Sequence, residues 1–296
     1  MTPTSRIVWP RPAVADCVFG VIVRDTRGVA LDVAQRFNFF PASPLCCVTS
    51  TFTGDGHRID RPDQMERPWT GARLPDLAFS GAQLGPVISW NSGEIYTMTI
   101  MFYPDAFSTM TALDLSPFTG RIVPAQGALP PPILLPCRDF FDAARREGVD
   151  KGYAALEDRI EMMWAAMRPA GSRPMQWIKD WSRGLARRAA LTGPGRSTRQ
   201  IARRVKSWTG VSRRDLQGLG HTEQLYARLH AAIRNDDINW AGLAAASGFA
   251  DQAHMIRQMR RHTGFTPERL LQSAANEEAF WCYRLLGQYF TIQRGQ

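Results

Sequence analysis

The sequence predicts an α+β multidomain chain: an N-terminal β-barrel or sandwich, then an all-α domain with two helix-turn-helix units. Three observations carry this expectation. Residues 14–104 hold short apolar runs divided by turn residues. Residues 171–275 hold helical periodicity and the excess of positive charge, and that half matches itself when slid by about 54 residues. The 296 residues suffice for two cores. The boundaries expected are 1–130 for the barrel, 131–170 for a linker and helical segment, 171–275 for the basic helical domain and 276–296 for a C-terminal helical extension.

Charge separates the halves. The net charge is +9, and residues 171–275 hold 18 Lys and Arg against 7 Asp and Glu, so the rest is slightly acidic. Such a block suits a polyanion, because each neutralised phosphate releases counterions. A solvated basic surface without a nucleic acid partner is the alternative. No run approaches eighteen apolar residues, so no membrane span is expected. The opening MTPTSRIVWPRP lacks the apolar core of a secretory signal. Five cysteines without CxxC spacing support neither a zinc cluster nor a disulfide framework, and a reduced, cytoplasmic setting fits them.

In chain order, Cys17-Val18-Phe19-Gly20-Val21-Ile22-Val23 and Leu45-Cys46-Cys47-Val48-Thr49-Ser50-Thr51-Phe52 read as strands, the second closed by Gly54-Asp55-Gly56. Residues 87–90 and 94–103 flank Asn91-Ser92-Gly93, which reads as a hairpin loop. Tyr96, Met98, Ile100 and Phe102 alternate onto one face. A barrel of this size encloses packed side chains or one small ligand. Inward-facing aromatic positions make Phe52, Trp90, Tyr96 and Phe102 the candidate pocket residues, with plain core as the alternative. Cys46 and Cys47 invite a thiol-sensor reading, but strand neighbours face opposite ways and no basic neighbour lowers a thiol pKa, so small core residues are expected.

Leu129-Pro130-Pro131-Pro132-Ile133 reads as a stiff link ending the barrel. In the helical stretch 139–167, Leu156, Ile160, Met163 and Met167 form a seam. The seam is expected to join a homodimer, though it suits packing on its own barrel equally. Residues 167–174, MRPAGSRP, read as a linker.

Within the repeat, Arg199-Gln200-Ile201-Ala202-Arg203-Arg204-Val205 lies over Ala253-His254-Met255-Ile256-Arg257-Gln258-Met259, and Thr209-Gly210-Val211-Ser212 over Thr263-Gly264-Phe265-Thr266. Ile201, Val205 and Trp208 form an inner stripe opposite Arg199, Arg203 and Lys206. Ser197 is a candidate N-cap that leaves backbone amides free for a phosphate. The second unit spans residues 239–271: an Ala-rich helix, a turn at Gly248, and a helix with Met255 and Met259 inside and Arg257, Arg260 and Arg261 outside. Residues 190–196, ALTGPGR, place Pro and two Gly where the first unit's scaffold helix should end, leaving only 181–191 as its helical material. Residues 276–290 read as an aromatic helix packing back on a domain or partner.

Gly248-Phe249-Ala250-Asp251-Gln252-Ala253-His254-Met255-Ile256-Arg257, with Arg261-His262-Thr263-Gly264-Phe265-Thr266-Pro267, resembles the C-terminal signature of AraC-type transcriptional regulators. The resemblance is specific over about thirty residues and looser elsewhere. It implies two helix-turn-helix units on double-stranded DNA, a cupin-like N-terminal domain that holds a small-molecule effector or a dimer, and no catalysis or cofactor. By position it gives base reading to Arg199, Gln200, Arg203, Gln252, His254 and Arg257. Phosphate contact falls to Ser197, Arg204, Lys206, Arg260 and Arg261. The chain departs from the pattern at Ala250, where relatives commonly carry a serine cap, and in the first scaffold. A metal-dependent cupin enzyme is the rival reading, but such sites need converging histidines, and His57, expected in a solvated turn, stands alone before His221.

Overall fold

In the computed structural model, the described residues are 2–170, 172, 177–192, 197–234 and 238–292. Ten strands form two antiparallel sheets. The six-stranded sheet runs β1 (Thr4–Val8), β2 (Val18–Asp25), β9 (Tyr96–Phe102), β4 (Cys46–Thr53), β7 (Leu77–Ser80) and β10 (Ile122–Pro124). The four-stranded sheet runs β3 (Phe37–Phe40), β8 (Val87–Asn91), β5 (Gly56–Ile59) and β6 (Ala72–Arg73).

β9 shows why one face packs. Met98, Ile100 and Phe102 are fully buried, while Thr97, Thr99 and Met101 turn to the other side, toward the second sheet. The buried face lies under α1 (Pro104–Thr111), α2 (Pro131–Glu147) and α3 (Val149–Met167), each such side chain contributing about 1.5–3 kcal/mol. The sheet therefore buries its more apolar face outside the barrel.

Three expectations are corrected here. Asn91-Ser92-Gly93 does not close a hairpin, because β8 pairs with β3 and β5 while β9 pairs with β2 and β4. The loop passes between sheets, as does the β4 to β5 turn, where Gly54 at φ +79° lies so close to Glu94 that a Cβ would sit 2.1 Å from its carbonyl oxygen. The prolines after Leu129 do not form a link: Pro130 is the N-cap of α2 and Pro131 its first residue, where a missing N–H costs nothing. The seam on α3 packs within its own chain. Leu156 and Ile160 are buried, Met163 is partly buried beside them, and Met167 is exposed at the helix end. Leu156 and Ile160 are thus taken up inside the chain against α2 and α1, and the homodimer contact expected of this seam is not shown.

The helical half comprises α4 (Ile178–Leu191), α5 (Thr198–Thr209), α6 (Arg213–Arg234), α7 (Trp240–Ala246), α8 (Gln252–Thr263), α9 (Pro267–Asn276) and α10 (Trp281–Ile292). Gly171, Arg173 and Pro174 of the expected 167–174 linker, and Gly193 to Arg196, lie outside the described residues, as do the side chains of Tyr289 and Phe290. The expected C-terminal helix, α10, packs back on the barrel: Trp281, Cys282 and Leu285 bury against Ile7, Ile22 and Phe40, and Trp281 Nε1 donates to Asn38 Oδ1 at 2.8 Å. No helix among the described residues is long and apolar enough to cross a membrane.

Candidate nucleic-acid interface

Every boundary of α8 follows that of α5 by 54 residues, as does the start of α9 relative to α6. The caps repeat as well. Ser197 Oγ accepts from Gln200 N while Gln200 Oε1 accepts from Ser197 N, a capping box. At the equivalent position Asp251 is itself the N-cap, its Oδ1 accepting from His254 N, so Ala250 lies one residue before the cap and not in it. Both helices end on glycines in the left-handed region, Gly210 at φ 73° and Gly264 at φ 84°. Thr209 Oγ1 donates to Val205 O and accepts from Val211 N; Thr263 Oγ1 does the same with Met259 O and Phe265 N. Val205 and Met259 face inward, and Leu216 and Leu270 follow them into the core.

The outward residues sort by what they already hold. Arg199, Arg203 and Lys206 of α5 are exposed and bond to no described side chain, and the same is true of Gln252, Arg257 and Arg260 of α8. Under the repeat, Arg203 matches Arg257 and Lys206 matches Arg260. Other candidates are committed. Gln200 is half-buried, with its carbonyl spent on the cap. His254 is half-buried with its ring edge-on to Phe249, and its Nδ1 accepts from Ala250 N at 3.4 Å. Arg261 pairs with Asp215 at 2.8 Å, tying the second unit to the start of α6. Arg204 is a correction: its guanidinium donates to Ala189 O at 2.7 Å and holds α5 to α4, so it serves packing in place of a phosphate.

The first scaffold is better built than its sequence predicts. α4 starts at Ile178, and Trp181, Leu185 and Ala189 are buried along it. Arg188 lies 4.6 Å over the Trp208 ring, closing α4 on α5.

Both α5 and α8 anchor their C-terminal ends on the barrel half. A Cβ at Gly210 would meet the Leu115 carbonyl at 3.0 Å, and Ala42 N donates to His262 O at 2.7 Å. Arg188 and Trp181 Nε1 both donate to Asp105 of α1, at 2.8 and 2.9 Å. The N-terminal halves, with Arg199, Arg203, Gln252 and Arg257, remain outward.

A cavity of about 330 Å³ lies between the two sheets. Its barrel wall includes Thr49, Thr51, Thr97, Thr99, Ser89 and Asn91. Its other wall is helical: Leu219, Glu223 and Tyr226 of α6, Met259 and Thr263 of α8, and Trp281 of α10. Phe52, Trp90, Tyr96 and Phe102 are not in this lining, which corrects the expected pocket. Phe52 packs on Tyr96 and on Phe141 of α2, and Phe102 packs on Phe107 of α1, all on the covered outer face. Trp90 has the opposite parity to Ser89 and Asn91 and donates to Val33 O at 3.1 Å. Cys47 faces the cavity, where burial pushes its thiol up to about 12, and Cys46 points into the core. His57 is a half-buried residue of β5 with its Nδ1 3.1 Å from Gly71 O, which corrects the solvated turn. Among the described residues no cluster of three or more His, Cys, Asp or Glu has a metal-binding arrangement. Sequence reasoning missed Asp105, Arg188, Glu223 and Asn38. Their partners lie tens to hundreds of residues away, and no local pattern marks them.

No family model matches the chain, and neither does any curated protein. Among solved structures the chain is similar to apo ToxT from Vibrio cholerae strain SCE256, with 9% identity and a TM-score of 0.40 over 86% of this chain and 96% of that one. It is also similar to unsaturated fatty acid-bound ToxT from the same strain, with 10% identity and a TM-score of 0.37 over 85% and 94%. A third is the AraC-like transcriptional activator CuxR, with 12% identity and a TM-score of 0.29 over 97% and 100%. These likenesses are too distant to assign function.

Proposed function

We propose that this chain is a sequence-specific, double-stranded-DNA-binding transcriptional regulator of the AraC type, acting in the cytoplasm and controlled by a small molecule in the barrel cavity. The observation that carries the reading is the pair of equivalent helices, α5 and α8, each presenting unpaired cations from its N-terminal half. The 22-residue α6 between them is about 33 Å long at 1.5 Å per residue, close to one turn of B-DNA. That spacing suits two helices entering successive major-groove segments.

Arg257, Arg203, Arg199 and Gln252 are assigned to base edges, where a guanidinium fork suits guanine and an amide suits adenine. Gln200 and His254 can reach bases only by giving up part of their present bonds. Lys206, Arg260 and the Ser197 end of α5 are assigned to phosphates, and Arg261 only if it leaves Asp215.

Control by a ligand rests on the cavity's mixed walls. A molecule bound there touches the barrel and α6, α8 and α10 together, so it has different affinities for arrangements that keep or break that closure. The open cavity favours this sensor over a barrel that only dimerises.

Selecting binding sites from random DNA with the full chain tests the reading. The expected product is a site with two enriched segments about 10 base pairs apart, single for a monomer and doubled for a homodimer. A bound pool without enrichment, held only at low salt, overturns it.

A further inference from the structure

We propose that the cavity takes a lipophilic cation, a molecule with an apolar body and one amine or amidine head, and that the head pairs with the Glu223 carboxyl. This rests on the sensor reading above and adds the chemistry of what is sensed.

Leu219, Thr222, Glu223 and Tyr226 stand at i, i+3, i+4 and i+7 on α6, so one stripe of that helix faces the cavity. Glu223 is the acid on that wall. Its Oε2 accepts from the Lys179 backbone N–H at 3.4 Å, at the start of α4. The Lys179 ammonium turns instead to Gln224 Oε1. Among the described residues no side-chain cation reaches the Glu223 carboxyl. Arg24, the cation on the cavity wall, is occupied: it pairs with Glu278 at 2.8 Å and donates to Ser5 Oγ at 3.0 Å. The cavity thus holds one acid that, among the described residues, is met by backbone N–H groups at the start of α4 and by no side-chain cation.

The remaining surroundings are neutral near pH 7. Tyr226 of α6, Cys47 of β4 and Cys282 and Tyr283 of α10 all have their pKa raised by burial, so all stay protonated. α8 offers Met259 and Thr263. From α4, Asp180 adds a like charge through space. Burial first, and Asp180 after it, lift Glu223 to about 8 against the two backbone donors. The empty protein therefore keeps this carboxyl protonated near neutrality, and a cationic head displaces the proton and supplies the missing charge. Tyr226 adds an aromatic ring on the same wall, while the Trp281 ring already carries the Arg24 guanidinium at 4.9 Å. The volume lies in the range of small-molecule sites.

Decylamine, 1-decanol and decanoate share one apolar body and differ in head charge. Titrated calorimetrically into the full chain at pH 8, decylamine is expected to bind at least about tenfold more tightly than decanol, with decanoate weakest. Lowering the pH from 8 to 6 should weaken the amine by roughly tenfold per unit and leave the alcohol unchanged. Glu223→Gln should bring amine and alcohol within about twofold of one another at unchanged alcohol affinity. A merely structural role for Glu223 would move the melting temperature and not this preference. Decanol or decanoate matching the amine in the wild-type chain overturns the cation assignment and leaves the sensor reading intact. Binding of none of the three removes the sensor reading and this proposal with it. The wild-type pH profile decides even if the variant fails to fold.

Discussion

Asp105 accepts hydrogen bonds from Arg188 Nη2 at 2.8 Å and from Trp181 Nε1 at 2.9 Å, so one carboxylate of α1 binds two residues of α4. The pair is mostly buried, and deleting the acceptor strands a guanidinium and an indole N–H together. Asp105→Ala is expected to cost about 2–4 kcal/mol of stability by urea denaturation. Amide exchange should quicken in α4 and α5 ahead of the barrel strands. A loss under about 0.5 kcal/mol would mean that the joint is solvated and carries no docking energy.

Two arginines one position apart in the repeat should behave oppositely. Arg257→Ala should lose about 1–3 kcal/mol on the selected DNA site, little on random DNA, and no melting temperature. Arg204→Ala should instead destabilise the fold by about 1 kcal/mol, because Ala189 O loses its donor. Competition binding with two DNA pools and a thermal melt of each variant check both halves.

The exposed cations at Lys206 and Arg260 should act without regard to sequence. Replacing either by Ala is expected to weaken all DNA alike and to lower the slope of log affinity against log salt by about 1. A base-dependent loss would reassign that residue to a groove edge.

His262 gives a pH dependence with a definite sign. Burial, then Arg261, lowers its pKa to about 4, and its Nδ1 lies 2.7 Å from Thr222 Oγ1. Between pH 6.5 and 4 the unfolded chain binds a proton that the folded chain refuses, so this contribution is complete above 6.5 and is lost as pH falls toward 4. Its size is about 3 kcal/mol. Glu223 acts with the opposite sign between pH 4.5 and 8, since its folded pKa is the higher one. The His262 share is therefore read as the difference between wild type and His262→Gln, which should vanish near pH 4 and be greatest above 6.5. A difference independent of pH would show that the imidazole titrates freely in the fold.

Gly54→Ala should destabilise by at least about 1–3 kcal/mol in a denaturant melt, since the left-handed backbone and the Glu94 carbonyl both refuse a Cβ. A neutral result would mean that the crossing between sheets relaxes freely.

The repeated helices α5 and α8 were legible in the sequence because a duplicated unit repeats its caps, stripe and terminal glycine, and each copy checks the other. Alternation along β9 was also legible, but the side it faced was not. Tyr96, Met98, Ile100 and Phe102 look like a barrel interior until α1, α2 and α3 are known to cover them from outside. The threonines between them, unremarkable as a pattern, line the cavity. The Pro-rich start of α2 misled in a similar way, since proline is as welcome at a helix's first turn as in a linker. Arg204 has the same chemistry as Arg203 one residue earlier, and only the position of Ala189 O separates a structural arginine from a free one.

α10 bears on when the first half of the molecule is complete. Trp281 and Cys282 wall the cavity, and Trp281 Nε1 satisfies Asn38 Oδ1 across 243 positions of chain. On the ribosome the barrel strands emerge long before these residues, so the nascent N-terminal half waits as an open bowl with Ile22 and Phe40 wet. Its lid is the last described helix to be synthesised. Closure of the cavity and folding of the barrel rim thus fall into one late event, and a chain stopped before Glu278 would have both α5 and α8 but an unsealed barrel.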